Sequence, residues 1–219
     1  MSKSNNQKQQ VALAALDYVK PGCVLGVGTG STVAFFIEQL SSIKGSIEVA
    51  IPSSMATRSL LLQHKIPVGE LNHFRSVDVY IDGADEFNSY KTLIKGGGGA
   101  LTQEKIIAAA SSKFVCIVDA SKQVKRLGAF ALPVEVVPMA RSFVARELVK
   151  LGGCPEYREN VITDNGNVVL DVHKLNMDEP MALERKLNNI PGVVCNGLFA
   201  LRGADIILLA GKSGVSVIE

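Results

Sequence analysis

Three short stretches of this 219-residue chain carry side chains whose types and spacing can do chemistry. The first is Gly26-Val27-Gly28-Thr29-Gly30-Ser31-Thr32, placed where an apolar run ends and a helical pattern begins. A strand-to-helix turn of this kind leaves backbone N–H groups unpaired and points the positive end of a helix dipole outward, which suits an anion. Glycine lets the backbone come close, and Thr29, Ser31 and Thr32 add hydroxyl donors. The dinucleotide fingerprint G-x-G-x-x-G is incomplete, because its third glycine is Ser31, and no Asp or Glu closes the apolar run 47–51 to hold a ribose. A monophosphate fits this turn better; a tight turn with a hydroxyl cap is the plainer alternative.

The second stretch holds four consecutive glycines, Gly96 to Gly99, behind Lys95. Such a run is costly in backbone entropy and hard to explain as a simple turn, so it reads as a loop that wraps a ligand, with the Lys95 cation beside it. Thr102 and Glu104 fall in the first turn of the helix expected next. The helix dipole keeps a carboxylate there ionised near neutral pH, the state a general base requires. A routine first-turn acid is the alternative for Glu104. The third stretch, Asp82-Gly83-Ala84-Asp85-Glu86, ends an apolar strand in an acidic turn. Metal ligands, hydroxyl-binding carboxylates and turn caps all remain open for Asp82 and Asp85. With no third ligand at a telling spacing, sugar hydroxyls are favoured. Near the end, Gly211-Lys212-Ser213 mimics the tail of a P-loop, but Ile206 stands where its first glycine belongs and too little chain follows for a helix, which excludes nucleotide hydrolysis.

These stretches must be positioned by regular elements. Periodicity predicts a helix over 10–18, a buried strand at 24–27, a helix up to Leu40, then strand, helix and strand at 47–51, 55–63 and 77–81. A helix over 101–110 and a strand at 114–118 follow. The alternation argues for a parallel sheet covered by helices. From residue 129 the texture changes: a Pro-bounded strand at 133–138, a helix at 140–151, two hairpin-like strands around Asp164-Asn165-Gly166-Asn167, a helix at 180–187 and a strand at 193–198. This middle piece reads as a small α+β domain inserted before a last core strand, 206–210.

Composition removes several function classes. With 23 Lys+Arg against 21 Asp+Glu and no block of like charge, a surface built to bind nucleic acid is not expected. No apolar run reaches the roughly 18 to 20 residues of a membrane span, and the polar start does not read as a signal peptide, so a soluble, cytoplasmic protein is expected. Cys23, Cys116, Cys154 and Cys195 stand singly, as do His64, His73 and His173, without metal-ligand spacing. Reduced packing cysteines and no bound metal are the expectation.

Together the motifs resemble ribose-5-phosphate isomerase of the A type. The resemblance rests on Gly28-Thr29-Gly30-Ser31-Thr32, Asp82-Gly83-Ala84-Asp85-Glu86, Lys95-Gly96-Gly97-Gly98 and Leu101-Thr102-Gln103-Glu104-Lys105, in that order and spacing. Asp119-Ala120-Ser121-Lys122, Pro133-Val134-Glu135-Val136-Val137-Pro138 and later stretches such as Gly197-Leu198-Phe199-Ala200 extend it over nearly the whole chain. Each motif alone is weak; the ordered set is specific.

The resemblance implies a cofactor-free interconversion of ribose 5-phosphate and ribulose 5-phosphate. It also implies an α/β fold: a Rossmann-like parallel-sheet domain (1–128 and 200–219) with a smaller inserted ferredoxin-like α+β lid domain (129–199), in a homodimer. Carried over by position, Glu104 matches the family's proton acceptor. Asp82, Asp85 and Lys95 match its catalytic polar residues. Thr29, Gly30, Ser31, Thr32, Asp82, Gly83, Ala84, Asp85, Lys95, Gly96, Gly97, Gly98 and Lys122 match its substrate-binding positions. Gln103 stands where many relatives carry Arg, and Gly99 where Ala is common, neither at a matched catalytic position. A deaminase or coenzyme A transferase of similar fold fits less well, and so does a non-catalytic sugar-phosphate sensor, which needs no base.

Overall fold

The computed structural model describes residues 3–212 and 214–219; Met1, Ser2 and the Ser213 of the P-loop-like tail lie outside the described residues. In chain order the elements are α1 (Lys3–Ala15), β1 (Cys23–Val27), α2 (Ser31–Leu40), β2 (Ile47–Pro52), α3 (Met55–Gln63), β3 (Val77–Asp82), β4 (Glu86–Phe87), β5 (Leu93–Ile94), α4 (Leu101–Ala110), β6 (Ser111–Asp119), β7 (Leu132–Val136), α5 (Arg141–Lys150), β8 (Cys154–Tyr157), β9 (Val168–His173), α6 (Pro180–Asn188), β10 (Val193–Asn196), β11 (Leu198–Phe199), β12 (Ile206–Gly211) and β13 (Gly214–Ile218). The chain divides into two compact units. One contains Met1–Ala84, Gln103–Lys122 and Ala204–Glu219; the other contains Asp85–Thr102 and Gln123–Gly203.

The first unit is built on a six-stranded sheet in the order β13-β12-β6-β3-β1-β2. All neighbours run parallel except β13, which returns antiparallel to β12. Strands buried on both faces must be apolar throughout, and Cys23-Val24-Leu25-Gly26-Val27 is buried at every position. Helix α2 buries Val33, Phe36, Ile37 and Leu40, a spacing that forms one apolar stripe at 3.6 residues per turn. That stripe shares a core with Val11, Ala12 and Ala15 of α1 and with Leu25, Ile81 and Ile117 of the sheet. The chain leaves β1 for β2 on one side and returns to β3 on the other. This reversal is a topological switch point, where the turns after β1 and β3 open a crevice at the carboxyl edge.

The second unit holds a four-stranded antiparallel sheet, β10-β7-β9-β8, and a three-stranded one, β11-β5-β4. Val144 and Leu148 of α5 and Leu183 and Leu187 of α6 share a core with Leu132, Val134, Val136, Leu170 and Val172. The single strand expected over 193–198 is two strands in two different sheets. Gly197 is the pivot: its N–H donates to Pro133 O (2.7 Å), its carbonyl accepts from Lys95 N–H (2.9 Å), and a Cβ on it would stand 2.2 Å from Lys95 O.

Two other expectations change in detail: helix α1 starts well before residue 10, and β13 follows the strand expected to be the last. The hairpin-like strands expected around Asp164-Asn165-Gly166-Asn167 are β8 and β9, which pair antiparallel. β8 ends at Tyr157 and pairs there with Leu170, so the turn lies within a longer excursion. Residues 85–102, which the strand–helix alternation groups with the first sheet, pack in the second unit because β5 pairs with both β4 and β11.

Candidate active site

In the first unit, strand register decides what stands next to what. Val27 of β1 lies opposite Ile81 of β3, so the next positions, Gly28 and Asp82, meet just past the strand ends. Gly28 N–H donates to Ile81 O (2.9 Å), and a Cβ on Gly28 would stand 1.9 Å from the Asp82 carboxyl carbon. Glycine is there to admit the carboxylate. Asp82 is completely buried, and three donors compensate: Thr29 N–H (3.0 Å) and Gly83 N–H (2.7 Å) on Oδ1, and the Tyr80 hydroxyl on Oδ2. Gly26 has a similar task, since a Cβ there would lie 2.7 Å from Ile107 Cγ2 and 2.8 Å from Tyr80 Cδ2. Gly30, with open space around it, supplies instead a φ of +120° that turns the chain into α2.

The Thr29 hydroxyl faces into the protein. It donates to Ser54 Oγ (2.8 Å) and lies 2.8 Å from Ser53 Oγ and 3.2 Å from Thr57 Oγ1, while Thr57 in turn donates to Gly28 O (2.6 Å). Ser54 also caps α3 by accepting from Thr57 N–H (3.0 Å). Ser53, Ser54 and Thr57 are not marked by sequence reasoning; the clue was a pair of serines directly after a strand. Ser31 opens α2, and its Oγ accepts from Lys8 Nζ on α1 (2.8 Å). Lys8 carries no motif, and only the packing of α1 against α2 brings its cation to that helix start. Glu104 sits in the first turn of α4 as expected and is 4% exposed. Tyr80 registers the local charge: burial first, then Asp82 and Glu104, hold its phenol well above the usual value of 10.0. Lys122, half-buried, follows β6 at the same carboxyl edge, in a turn closed by Asp119 Oδ1, which accepts from the Ser121 N–H (2.9 Å) and hydroxyl (2.5 Å).

In the second unit, the glycine loop is held by side chains from elsewhere in that unit. Asp85 Oδ2 accepts from Gly97 N–H (2.8 Å), and Gly99 N–H closes a turn onto Gly96 O (2.9 Å). Gly96, at φ +100°, bends the chain where Leu101 and Pro133 leave no room for a side chain. Arg158 Nη1 donates to the carbonyls of Gly96 and Gly97 (3.2 Å each), while its Nε and Nη2 form a two-pronged pair with Asp171 (2.8 and 2.5 Å). Lys95 is buried, its Nζ 5.5 Å from the centre of the Phe199 ring. Thr102 is tied to the fully buried Glu135, whose other oxygen accepts from Thr163 (2.8 Å), Asn165 (3.0 Å) and Asn167 (2.8 Å). Arg158 and Glu135 are therefore supports that no local spacing revealed. Among the described residues, no group of three or more His, Cys, Asp or Glu is arranged to hold a metal.

The first unit's fold and polar groups define the class: an α/β protein with a buried carboxylate, Asp82, and a glycine turn at the carboxyl edge of a mostly parallel sheet. The family model of ribose 5-phosphate isomerase A (phosphoriboisomerase A) matches residues 49–214, well over half of the chain. The chain is 47% identical to a ribose 5 phosphate isomerase A from Neisseria gonorrhoeae, covering 100% of this chain and 98% of that one, with a TM-score of 0.97. It is 42% identical to ribose 5-phosphate isomerase A from Methanocaldococcus jannaschii, covering 99% and 100%, with a TM-score of 0.94. A third solved structure, a D-ribose-5-phosphate isomerase in complex with phospho-erythronic acid, is 38% identical over the full length of both chains, with a TM-score of 0.95. The chain belongs to the ribose 5-phosphate isomerase A family, and it is an isomerase.

Proposed function

We propose that the chain interconverts D-ribose 5-phosphate and D-ribulose 5-phosphate through an enediolate, with Glu104 as the base that shuttles the proton. Phospho-erythronic acid bound to a 38% identical relative supports a sugar phosphate as the ligand class. The observation that carries the reading is Glu104 itself, a buried carboxylate in the first turn of a helix, in the unit where Asp82 is fixed by three donors.

Aldose–ketose isomerisation removes a weakly acidic proton from carbon 2 of the open-chain sugar. The C–H electron pair becomes the C1=C2 bond, and the carbonyl oxygen takes the negative charge. After the hydroxyl proton moves between the two oxygens, the base returns its proton to carbon 1. Glu104 performs both transfers. Lys95 and N–H groups of the glycine loop stabilise the oxyanion, one such donor being worth about 3 to 4 kcal/mol. Gly97 N–H already donates to Asp85 and Gly99 N–H to Gly96 O, so this role falls to Gly96 and Gly98. Asp82 and Asp85 hold the hydroxyls, and one of them assists ring opening. Ser31, Thr32, Lys8 and the start of α2 hold the phosphate, with Lys122 as a further substrate contact; remote binding of this kind positions the reacting carbons. The reaction needs no metal or cofactor.

The test is ketose formation from ribose 5-phosphate by the purified protein in excess chelator. Full turnover is expected there, and Glu104→Gln should lose at least roughly 10² in kcat while still binding sugar phosphate. Unchanged turnover in that variant removes Glu104 from the mechanism.

A further inference from the structure

We propose that Tyr80 is a positioning residue of this reaction: its buried hydroxyl holds Asp82 in the single orientation in which that carboxylate meets the sugar. The proposal rests on Asp82 being a substrate-holding group. Backbone N–H groups of Thr29 and Gly83 occupy one Asp82 oxygen and the Tyr80 hydroxyl occupies the other, so the carboxylate is fixed at both ends and cannot rotate about Cβ–Cγ.

The donors belong to a closed ring. The Thr29 hydroxyl lies 2.8 Å from Ser53 Oγ, the Ser53 side chain hydrogen-bonds the Tyr80 phenol, Tyr80 donates to Asp82, and Asp82 accepts from Thr29 N–H. This ring ties together the turns that follow β1, β2 and β3. Such networks, when every member is satisfied, specify one geometry.

Packing alone does not explain a tyrosine here. The ring is fully buried, tilted against Phe114 with centroids 4.9 Å apart, and Gly26 leaves the space it fills. Phenylalanine would fill the same space without burying a hydroxyl, so the hydroxyl is there for its hydrogen bonds. The phenol is held protonated by burial and by the neighbouring charges of Asp82 and Glu104, which keeps Tyr80 the donor and Asp82 the acceptor.

The experiment compares kcat and KM for ribose 5-phosphate in Tyr80→Phe, Asp82→Asn, the double variant, and Phe114→Leu, each checked for thermal unfolding. Tyr80→Phe should lose about tenfold in kcat with KM changed by less than about twofold, the effect of one hydrogen bond to a charged group. Phe114→Leu loosens the same packing but spares the hydroxyl, and should keep wild-type kcat. In the Asp82→Asn background, removing the hydroxyl should have no further effect. Wild-type kcat in Tyr80→Phe, an equal fall in Phe114→Leu, or a full further loss in the Asp82→Asn background each overturns the proposal. Wild-type turnover in Asp82→Asn overturns the reading of Asp82 on which it rests, and Tyr80 falls with it.

Discussion

The two glycine loops look alike in sequence and are built on opposite principles. At the end of β1 and in the turn after it, Gly26 and Gly28 are defined by what occupies the space of their missing side chains: the Tyr80 ring and the Asp82 carboxylate. In the loop after β5, Gly96 is defined by a backbone bend, and the loop is clamped from outside by Asp85 and Arg158. The first loop makes room for a rigid buried group; the second is shaped by the groups that hold it. A glycine-rich motif is thus not one device, and which device it is depends on what its neighbours bring.

The sharpest way to break this comparison is to add one methyl group to each loop. A Cβ at Gly28 would overlap the Asp82 carboxyl carbon at 1.9 Å, where three hydrogen bonds leave no slack. Gly28→Ala should therefore cost about 10²-fold or more in kcat/KM, the usual price of about 1 Å of misplacement. At Gly97 the Cβ would meet Asp85 Oδ1 at 2.8 Å, the far end of a side chain that can yield, so Gly97→Ala should cost only about tenfold. Steady-state kinetics on the pair decides; equal losses mean the loops are held alike.

Arg158→Lys tests the outside clamp. A lysine cannot reproduce a fork that grips Asp171 and two loop carbonyls at once, so unfolding stability should fall by about 1.5 to 3 kcal/mol in denaturant titration. The same variant should raise KM for ribose 5-phosphate. Unchanged stability with unchanged KM would show the second loop to be self-supporting.

The smallest effect belongs to the first loop at high pH. Because the folded phenol of Tyr80 lies well above its ordinary value of 10.0, the unfolded chain releases that proton first. Its contribution is fully present below about pH 10 and is lost as pH rises toward the folded value, at about 1.4 kcal/mol per pH unit. Tyr80→Phe should remove this part of the alkaline slope in stability measured between pH 9 and 11; identical slopes would mean that the buried phenol titrates normally.

Much of the site is legible in the sequence for a local reason. Glu104 is readable because the first turn of α4 and its dipole lie within four residues of chain, and the Asp82 turn is readable because it ends an apolar strand. Lys8, Ser53, Glu135 and Arg158 are not, because each acts on a partner brought by packing rather than by neighbouring chain, and Tyr80, only two residues from Asp82, reads in sequence as one more apolar strand position. The strand expected over 193–198 fails for a related reason: β-rich composition predicts a strand but not that Gly197 passes it from one sheet to another.

By itself, then, the sequence determined the alternation of strands and helices, the turns at their ends and the residue types offered there, since these follow from periodicity and short-range hydrogen bonding. Tertiary structure alone decided that Gly28 faces Asp82, that Lys8 reaches Ser31 and that Arg158 grips the loop at Gly96 and Gly97. The pairs are 54, 23 and about 60 residues apart. Strand register and helix packing set such distances, and both minimise the free energy of a whole core, which no local stretch of chain encodes.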